Sequence, residues 1–541
     1  MSAANKNVIW FEDLSRGDVG LVGGKNSSLG EMVQQLGQKG IDVPPGFATT
    51  SDAFRAFIKA NNLNEVIAEA MDMLDSGKRT LAETGKAVRA AIVAGDWPAD
   101  IREAILSAYR ELSERTGNTD LSVAVRSSAT AEDLPDASFA GQQETYLNVR
   151  GEAALLSTCR RCYASLFTDR AITYRKLKGF DHNQVALSIG VQRMVRSDIG
   201  GSGVMFSIDT ESGFDKVVLI NAAWGLGENV VQGAVTPDEY EVFKPLLETP
   251  GLKPIVEKTC GAKEIKMIYA GAEGGETKNV PTSKAERQAY VLSDEEILNL
   301  ARQAATIEKH YSQPMDMEWA KDGETGRLYI VQARPETVQS RADVTALKNY
   351  TIKKTGKTLL TGLSVGAAVK AGRVCLIENV KDIDKFVDGS ILVTSTTDPD
   401  WVPIMKRATA IVTDHGGRTS HAAIVSRELG LPAIVGTGNA THILHDQQEV
   451  TISCAGGEEG AVYEGIAEYE VEDVRLDNVP ETRTKIMLNL ADPSAAFRWW
   501  RLPADGVGLA RMEFVVNSAV QVHPMALVNF DTLKDEDAKA E

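Results

Sequence analysis

The histidine that follows a pair of glycines is the sharpest chemical signal in this 541-residue sequence. The segment Thr413-Asp-His-Gly-Gly-Arg-Thr-Ser-His421 is typical of a strand, a tight turn and the start of a helix that Thr419 or Ser420 would cap. Backbone N–H groups at a helix start favour an anion and lower the pKa of an imidazole, so His421 would be neutral and nucleophilic. The pattern favours a phosphoryl group carried on His421, although a solvated surface histidine has the same spacing.

A hairpin is predicted from Met315 to Arg334, because turn residues Asp322-Gly323 separate two runs of alternating side chains. The alternation gives its polar face four side chains, Asp316, Glu318, Gln332 and Arg334. Carboxylates suit magnesium and a guanidinium suits phosphate, so this face predicts a site for a magnesium-bound nucleotide, with Asp316 and Glu318 towards the metal. The solvent-facing side of an edge hairpin is the alternative interpretation.

Two cationic side chains upstream are further candidates for binding phosphate. Lys25 lies in a glycine-rich turn, Leu21–Ser28, that leads into a helix, but Val19 stands where a P-loop needs glycine. Arg126 ends a predicted strand beside a run of hydroxyl residues. An ordinary turn and a surface ion pair remain the alternatives for these two residues.

Composition excludes several classes of function. With 58 basic and 75 acidic side chains the formal charge is −17, which argues against a sequence-independent grip on nucleic acid. The sequence contains no run of 18 or more apolar residues that would predict a membrane span, and the N-terminus lacks the apolar run of a signal peptide. Five cysteines fit thiols in a reducing compartment. We therefore expect a cytoplasmic protein without membrane or nucleic-acid partners.

Several elements must position these side chains, and their periodicity divides the chain. The first 340 or so residues combine helices, including one over Ala153–Lys176, with short β-branched strands such as Val217–Ile220, as in a mixed α/β domain. The polar stretch Thr337–Val344 predicts a boundary. A smaller α/β layer follows, with a helix over Ser420–Leu429, and closes near Glu470.

The last segment, from Thr484, predicts a strand over Ile486–Leu490, a helix over Pro493–Arg501 and a strand-like Gly506–Ala510. About 60 residues are too few for repeated βα units to close into a barrel. The length alone predicts three or four domains, and the motifs reduce this to two complete domains and the start of a third.

In order and spacing, five motifs along the whole chain resemble the phosphoenolpyruvate synthases, or pyruvate, water dikinases, within the wider family of PEP-utilising enzymes. They are Val-Arg126-Ser-Ser-Ala-Thr-Ala-Glu-Asp, Val-Met-Phe-Ser-Ile-Asp209-Thr, Met-Asp316-Met-Glu318-Trp, Gln332-Ala-Arg334-Pro-Glu-Thr and Gly-Gly-Arg-Thr-Ser-His421-Ala-Ala. Pyruvate phosphate dikinase resembles the chain less closely.

The resemblance implies a multidomain protein of α/β and α+β class. Its parts would be an ATP-grasp nucleotide-binding domain over 1–340, a swivelling α/β phosphohistidine domain over 350–472 and the start of a PEP/pyruvate-binding (β/α)₈ barrel over 484–541. A carrier domain on flexible linkers is also what the chemistry needs, since ATP and pyruvate sites cannot both surround one imidazole.

The resemblance also implies roles for individual residues. His421 would take the β-phosphoryl end of ATP and release AMP, water would remove the γ-phosphate, and the remaining phosphoryl group would pass to pyruvate in a gluconeogenic reaction. Matches to nucleotide-binding positions are Lys25, Arg126, Glu318, Gln332 and Arg334. Glu318 and Asp316 would hold Mg²⁺, and Arg511 matches an arginine that binds pyruvate or phosphoenolpyruvate.

Three functions remain open on the sequence. The first is a phosphoenolpyruvate synthase, with this chain expected to lack the complete pyruvate site because most of the barrel is absent and so to make no phosphoenolpyruvate alone. The second is pyruvate phosphate dikinase or another dikinase that joins ATP-grasp and phosphohistidine domains. The third is a non-enzymatic phosphocarrier or regulatory fragment. The sequence leaves a homodimer open as well.

Overall fold

The structure is a computed structural model of the whole chain. It describes residues 7–119, 121–130, 133–134, 137–138, 144–178, 185–271, 276–336, 346–476, 479–480, 482–491, 496, 499–516, 523–534 and 539. All of the predicted boundary stretch Thr337–Val344 and most of the predicted helix Pro493–Arg501 lie outside these residues. Among the helices described, none has the length and apolar character that crossing a membrane requires.

The first unit, residues 7–336, contains fifteen described strands. They are β1 (Val8–Trp10), β2 (Gly46–Thr49), β3 (Val123–Ala129), β4 (Asp133–Leu134), β5 (Ala137–Ser138), β6 (Thr145–Val149), β7 (Leu187–Arg193), β8 (Gly201–Phe206), β9 (Val217–Trp224), β10 (Asp238–Phe243), β11 (Ile255–Thr259), β12 (Ile265–Tyr269), β13 (Thr277–Pro281), β14 (Met315–Lys321) and β15 (Leu328–Pro335). One sheet has the order β1-β2-β7-β3-β6 and a second has the order β11-β10-β9-β8-β14-β15. Strands β4 and β5 form a hairpin, as do β12 and β13.

Ten α-helices are described in the first unit. They are α1 (Val19–Leu36), α2 (Ser51–Ala60), α3 (Leu63–Asp75), α4 (Leu81–Ala94), α5 (Ala99–Thr116), α6 (Glu152–Ala164), α7 (Asp169–Lys178), α8 (Glu228–Val231), α9 (Lys284–Gln288) and α10 (Asp294–Tyr311). Capping boxes start three of them, at Thr80, Ser283 and Ser293, where a hydroxyl and a glutamate satisfy backbone N–H groups in the first turn. Each sheet has its own hydrophobic core against these helices.

The second unit, residues 346–476, is a closed barrel entered and left through a two-stranded ribbon. Its strands are β16 (Ala346–Ile352), β17 (Thr358–Val365), β18 (Val369–Leu376), β19 (Ile391–Thr394), β20 (Ala410–Thr413), β21 (Ala433–Val435), β22 (Glu449–Ser453), β23 (Glu459–Glu464) and β24 (Tyr469–Arg475). The ribbon is the antiparallel pair β16 and β24, and the barrel order is β17-β21-β20-β19-β18-β22-β23. We call this unit the barrel domain. Its helices are α11 (Val402–Met405), α12 (His421–Leu429) and α13 (Ala440–Ile443).

The C-terminal segment, residues 482–539 as far as it is described, holds two parallel strands. They are β25 (Met487–Leu490) and β26 (Gly506–Ala510), followed by the helices α14 (Met512–Val515) and α15 (Pro524–Val528). Trp500 donates from its indole N–H to the carbonyl of Ser212, at 3.2 Å, and its ring packs on Phe214 of the first unit.

Local predictions agree with the structure where turn and cap residues define an element. The hairpin of β14 and β15 turns at Asp322, and α12 ends at Gly430 with φ +67°. Two predictions are wrong in part. The helix expected over Ala153–Lys176 is divided into α6 and α7 by a 3₁₀ turn at Ser165–Phe167, and the smaller α/β layer is a closed barrel.

Candidate functional site

His421 is the first residue of α12, as the sequence predicts. The Ser420 hydroxyl caps this helix by accepting from the N–H of Ala423, at 3.4 Å. The Nδ1 atom of the imidazole lies 2.9 Å from Oγ1 of Thr397, which fixes the ring orientation. Burial, with help from the positive charge of Arg170, lowers the pKa of His421 to about 4. The ring is therefore neutral at pH 7, and when Nδ1 is the donor to Thr397 the lone pair lies on Nε2.

Several contacts hold the barrel domain against the first unit near His421. The guanidinium of Arg170 lies 3.1 Å from the carboxylate of Asp400. Glu211 accepts from Nε of Arg427, at 2.9 Å, and from the N–H of Gly366, also at 2.9 Å. Each of these pairs joins a residue of the first unit to one of the barrel domain, and Arg427 belongs to α12, so this helix lies at the interface of the two units.

Glycines allow the closest approach at this interface. Gly233, in the first unit, has φ +68°, and a Cβ built there would lie 2.7 Å from Cβ of Ser420. A Cβ on Gly417 would lie 3.1 Å from the Pro237 ring. The Gly-Gly turn before His421 therefore permits backbone contact with the first unit.

Strands β14 and β15 bring together the four polar residues predicted there. Asp316 faces Arg334 across the hairpin, and Glu318 faces Gln332. One oxygen of Asp316 accepts from both Nε and Nη2 of Arg334, at 2.8 and 2.7 Å. Burial raises the pKa of Asp316, and Arg334 opposes that rise. The Asp316 carboxylate is thus already engaged by a cation.

Arg126 joins this group from the other sheet. It donates to the carbonyl of Val331 on β15, at 2.8 Å. Burial lowers the pKa of Arg126, and the carboxylate of Glu318 opposes that change. The guanidinium and the hairpin carboxylate therefore share one buried region, as a site for an anion and its metal would require.

Lys25 lies in α1 at a break in that helix. Gly23 has φ +75°, and the chain packs so closely there that an added Cβ would lie 2.3 Å from Oγ of Ser128. Two bonds position the next turn, because Asn26 N donates to Ser128 Oγ at 3.3 Å and Ser28 Oγ donates to the Ala333 carbonyl at 2.8 Å. The Lys25 backbone thus lies between the strands that carry Arg126 and Gln332.

The hairpin and the histidine helix approach each other at Glu428. Burial raises the pKa of this glutamate, near the end of α12, and Arg334 opposes the rise while Glu336 adds to it. Since α12 is nine residues long and starts at His421, the structure brings the predicted nucleotide-binding residues and the predicted phosphate acceptor to one region.

Glu318 and Gln332 offer oxygen donors of the kind that Mg²⁺ uses beside nucleotide phosphates, so this pair fits the metal. Asp316 fits it less well, because Arg334 occupies its carboxylate. Three other carboxylates of the described residues have oxygens within 4.8 Å of one another, those of Glu241, Glu257 and Glu458. Two members of this second cluster, Glu241 and Glu458, form ion pairs with Arg418.

Arg511 forms its ion pair with a neighbour in sequence and not with a residue of this group. It lies in the C-terminal segment, where its side chain is 3.7 Å from Glu513 and 44% exposed. Sequence reasoning also missed Thr397 and Arg170, which act on His421, and Glu211, which binds Arg427 across the interface. A hydroxyl pair precedes Asp398-Pro in the sequence, which is a weak signal for Thr397, whereas nothing local distinguishes Arg170 or Glu211 from surface charges.

Each of the two units matches a known protein family. The family described as pyruvate phosphate dikinase, AMP/ATP-binding domain, matches residues 19–354. The family described as PEP-utilising enzyme, mobile domain, matches residues 386–457. These matches confirm the predicted multidomain α/β class, with a nucleotide-binding domain followed by a mobile domain.

Curated relatives extend the match along the chain. Phosphoenolpyruvate synthase of Synechocystis is 55% identical over 99% of this chain and 66% of its own length. The enzymes of the same name from Neisseria meningitidis and Escherichia coli are 52% and 51% identical, over 99% and 97% of this chain and 68% and 66% of their own lengths. The chain spans about two thirds of the length of these relatives. It belongs to the phosphoenolpyruvate synthase family of PEP-utilising enzymes.

Proposed function

We propose that the chain transfers a phosphoryl group from ATP to His421 and that the phosphohistidine serves the synthesis of phosphoenolpyruvate from pyruvate, with AMP and phosphate as the other products. The observation that carries this proposal is the neutral imidazole at the start of α12, placed at an interface with the unit that holds Arg126 and the hairpin residues. Within this proposal the first unit is an ATP-grasp domain.

The first step is nucleophilic. When Nδ1 of His421 carries the proton and donates a hydrogen bond to Oγ1 of Thr397, Nε2 keeps its lone pair. That lone pair attacks the β-phosphorus of ATP, the bond from this phosphorus to the α,β-bridging oxygen breaks, and AMP leaves with the electron pair. Water then removes the γ-phosphate as inorganic phosphate. One phosphoryl group remains on Nε2 and is passed to the enolate oxygen of pyruvate.

The charged side chains of the first unit would bind and orient the triphosphate. Phosphoryl transfer needs positioning and charge neutralisation above all, and Lys25, Arg126 and Arg334 supply cationic groups around the hairpin. Glu318, with Asp316 as a weaker partner, would hold Mg²⁺ beside Gln332. When bound, the metal supplies charge neutralisation on the phosphate oxygens.

The C-terminal segment belongs to the pyruvate side of the proposal. Parallel pairing of β25 with β26 supports residues 484–541 as the opening βα unit of a (β/α)₈ barrel, with Arg511 as a ligand of the pyruvate carboxylate. The limits of the two family matches support nucleotide-binding and phosphohistidine domains over 1–340 and 350–472.

The test follows label from ATP into the chain. ATP labelled at the β-phosphate should give acid-labile label on the wild type and none on His421→Ala, since only the imidazole can carry it. His445→Ala, which changes another histidine of the same domain, is the matched control and should label normally. Absence of β-label on the wild type, or equal label on His421→Ala, would show that the proposal is wrong.

A further inference from the structure

Arg418 crosses from the barrel domain into the first unit. Its side chain is 5% exposed, and its Nη1 atom lies 3.3 Å from Oε1 of Glu239 and 3.8 Å from Oε1 of Glu241, both on β10. Its Nη2 atom lies 3.1 Å from Glu458 of its own domain. One guanidinium therefore joins carboxylates of two units.

This burial makes the contact specific. A guanidinium withdrawn from water is stabilised only when carboxylates replace its hydration, and removing those partners while it stays buried is strongly destabilising. Glu458 stays with Arg418 wherever the barrel domain goes, whereas the carboxylates of Glu239 and Glu241 are available only in the observed arrangement. Arg418 thus favours one docking position of the barrel domain on the first unit over any other.

The acidic groups around Arg418 also favour a cation at this position. Glu257 adds a carboxylate beside Glu241 and Glu458, and Asp209 lies near enough to influence both Glu241 and Arg418. Burial and neighbouring carboxylates raise the pKa of Glu241 to about 9, and burial with Glu458 raises that of Glu257 to about 7. Arg418 opposes the rise at both Glu241 and Glu257, so it is the cation that makes crowding these acidic groups together less unfavourable.

The position of Arg418 determines the position of the His421 imidazole. Only Thr419 and Ser420 separate it from His421, and both are buried. On the other side of Arg418, Gly417 lies against Pro237. A shift of the guanidinium would therefore move the start of α12, and displacement by about 1 Å can cost about 100-fold in the rate of a transfer step.

We propose that Arg418 is a positioning residue that docks the barrel domain for phosphoryl transfer by inserting its guanidinium between Glu239 and Glu241 of the first unit. The inference rests on the proposed function, because it assigns Arg418 to the step in which His421 meets ATP. It assigns this arginine to domain docking and not to the triphosphate.

The test compares Arg418→Gln with Arg418→Lys in the full chain. The first should slow single-turnover transfer of β-label to His421 by about 100-fold, with the dissociation constant of ATP unchanged, and the second should restore part of the rate. Small-angle X-ray scattering should show a larger radius of gyration for Arg418→Gln. Arg407→Gln, which removes a partly exposed arginine paired with Asp388 inside the barrel domain, should behave as the wild type.

The partner side gives an independent check if Arg418→Gln is poorly folded by circular dichroism. Glu239→Gln should slow transfer in the same direction, and combining it with Arg418→Gln should cost less than the two effects together. Transfer at the wild-type rate, or an ATP affinity that falls in parallel with the rate, would overturn the inference. If the wild type takes no label, the proposed function fails, and scattering on the variants still tests docking.

Discussion

At the scale of single residues, His421 combines two requirements that usually conflict. A nucleophilic imidazole must be neutral, yet it must lie near cations that attract the phosphate. Arg170 lies close enough to lower the pKa of His421 further, so the same positive charge that favours an incoming anion also keeps the ring unprotonated. In the proposed transfer, Thr397 sets which nitrogen reacts.

The low pKa of His421 predicts a flat pH dependence. The docked ring has a pKa of about 4, so the single-turnover rate of histidine phosphorylation should change little between pH 8 and pH 5.5. An ordinary histidine, with a pKa near 6.5, would lose about tenfold at pH 5.5 because most of it would be protonated. Rapid-quench measurements with β-labelled ATP check this, and a tenfold fall would contradict the neutral ring.

The lowered pKa of His421 also makes the stability of the fold depend on pH. The unfolded chain binds a proton at this histidine near pH 6.5, whereas the native state resists it until about pH 4. The free energy of unfolding should therefore receive a smaller contribution from His421 as pH falls through this window, and His421→Gln should remove that part of the pH dependence.

At the scale of elements, the loop that holds Gly233 controls how closely α12 approaches the first unit. Gly233→Ala introduces a methyl group 2.7 Å from Cβ of Ser420 at a φ of +68°. We expect transfer to His421 to slow by about tenfold or more, with ATP affinity retained, because the helix start is pushed away. Single-turnover labelling and ATP titration measure the two quantities.

A matched glycine separates the clash from backbone strain. Gly251 has φ +80° and nothing within 4 Å of an added Cβ, so Gly251→Ala carries the strain without the contact. It should transfer label at the wild-type rate. Equal losses in both variants would assign the effect to strain and contradict the close approach at Ser420.

The sequence predicts elements well where one residue type decides them. Ser420 as a cap, Gly430 as a terminator and Asp322-Gly323 as a turn define α12 and the hairpin without tertiary information. The break between α6 and α7 at Ser165–Phe167 has no such marker. Local patterns also do not predict that the barrel closes, because the sequence of a strand such as Ile391–Thr394 suits an open sheet equally well.

The site was predictable in part for the same reason. Each predicted group lies on one element with a recognisable motif, and the structure brings Arg126 near Glu318 as a nucleotide site requires. Glu211 and Glu239 gain their roles only from the way two units meet, and their neighbours in sequence do not reveal that contact. Interfaces between domains carry little local periodicity.

At the scale of the whole molecule, the interface is acidic on the side of the first unit, and this has a cost in stability. Glu241, with a pKa raised to about 9, stays protonated at pH 7 in the native state, whereas the unfolded chain ionises it near pH 4.5. Stability attributable to this group therefore falls as pH rises from about 4.5 to about 9.

Glu241→Gln should relieve this cost. The amide is neutral in both states, so we expect a higher melting temperature than the wild type and a gain that widens between pH 7 and pH 9, of roughly 3 kcal/mol in unfolding free energy at pH 7. Differential scanning calorimetry at the two pH values measures it. Glu248→Gln, at a glutamate 87% exposed, is the control and should show no such gain. A lower melting temperature for Glu241→Gln would contradict the burial cost.

The paired strands β16 and β24 give the barrel domain adjacent ends. Lys353 N donates to the Glu468 carbonyl at 3.0 Å where the ribbon meets the barrel, so entry and exit are only one strand spacing apart. A short turn could bridge that gap if the intervening residues were removed. The barrel domain is therefore a cassette that could be excised, or transplanted between hosts, without separating the chain ends that flank it.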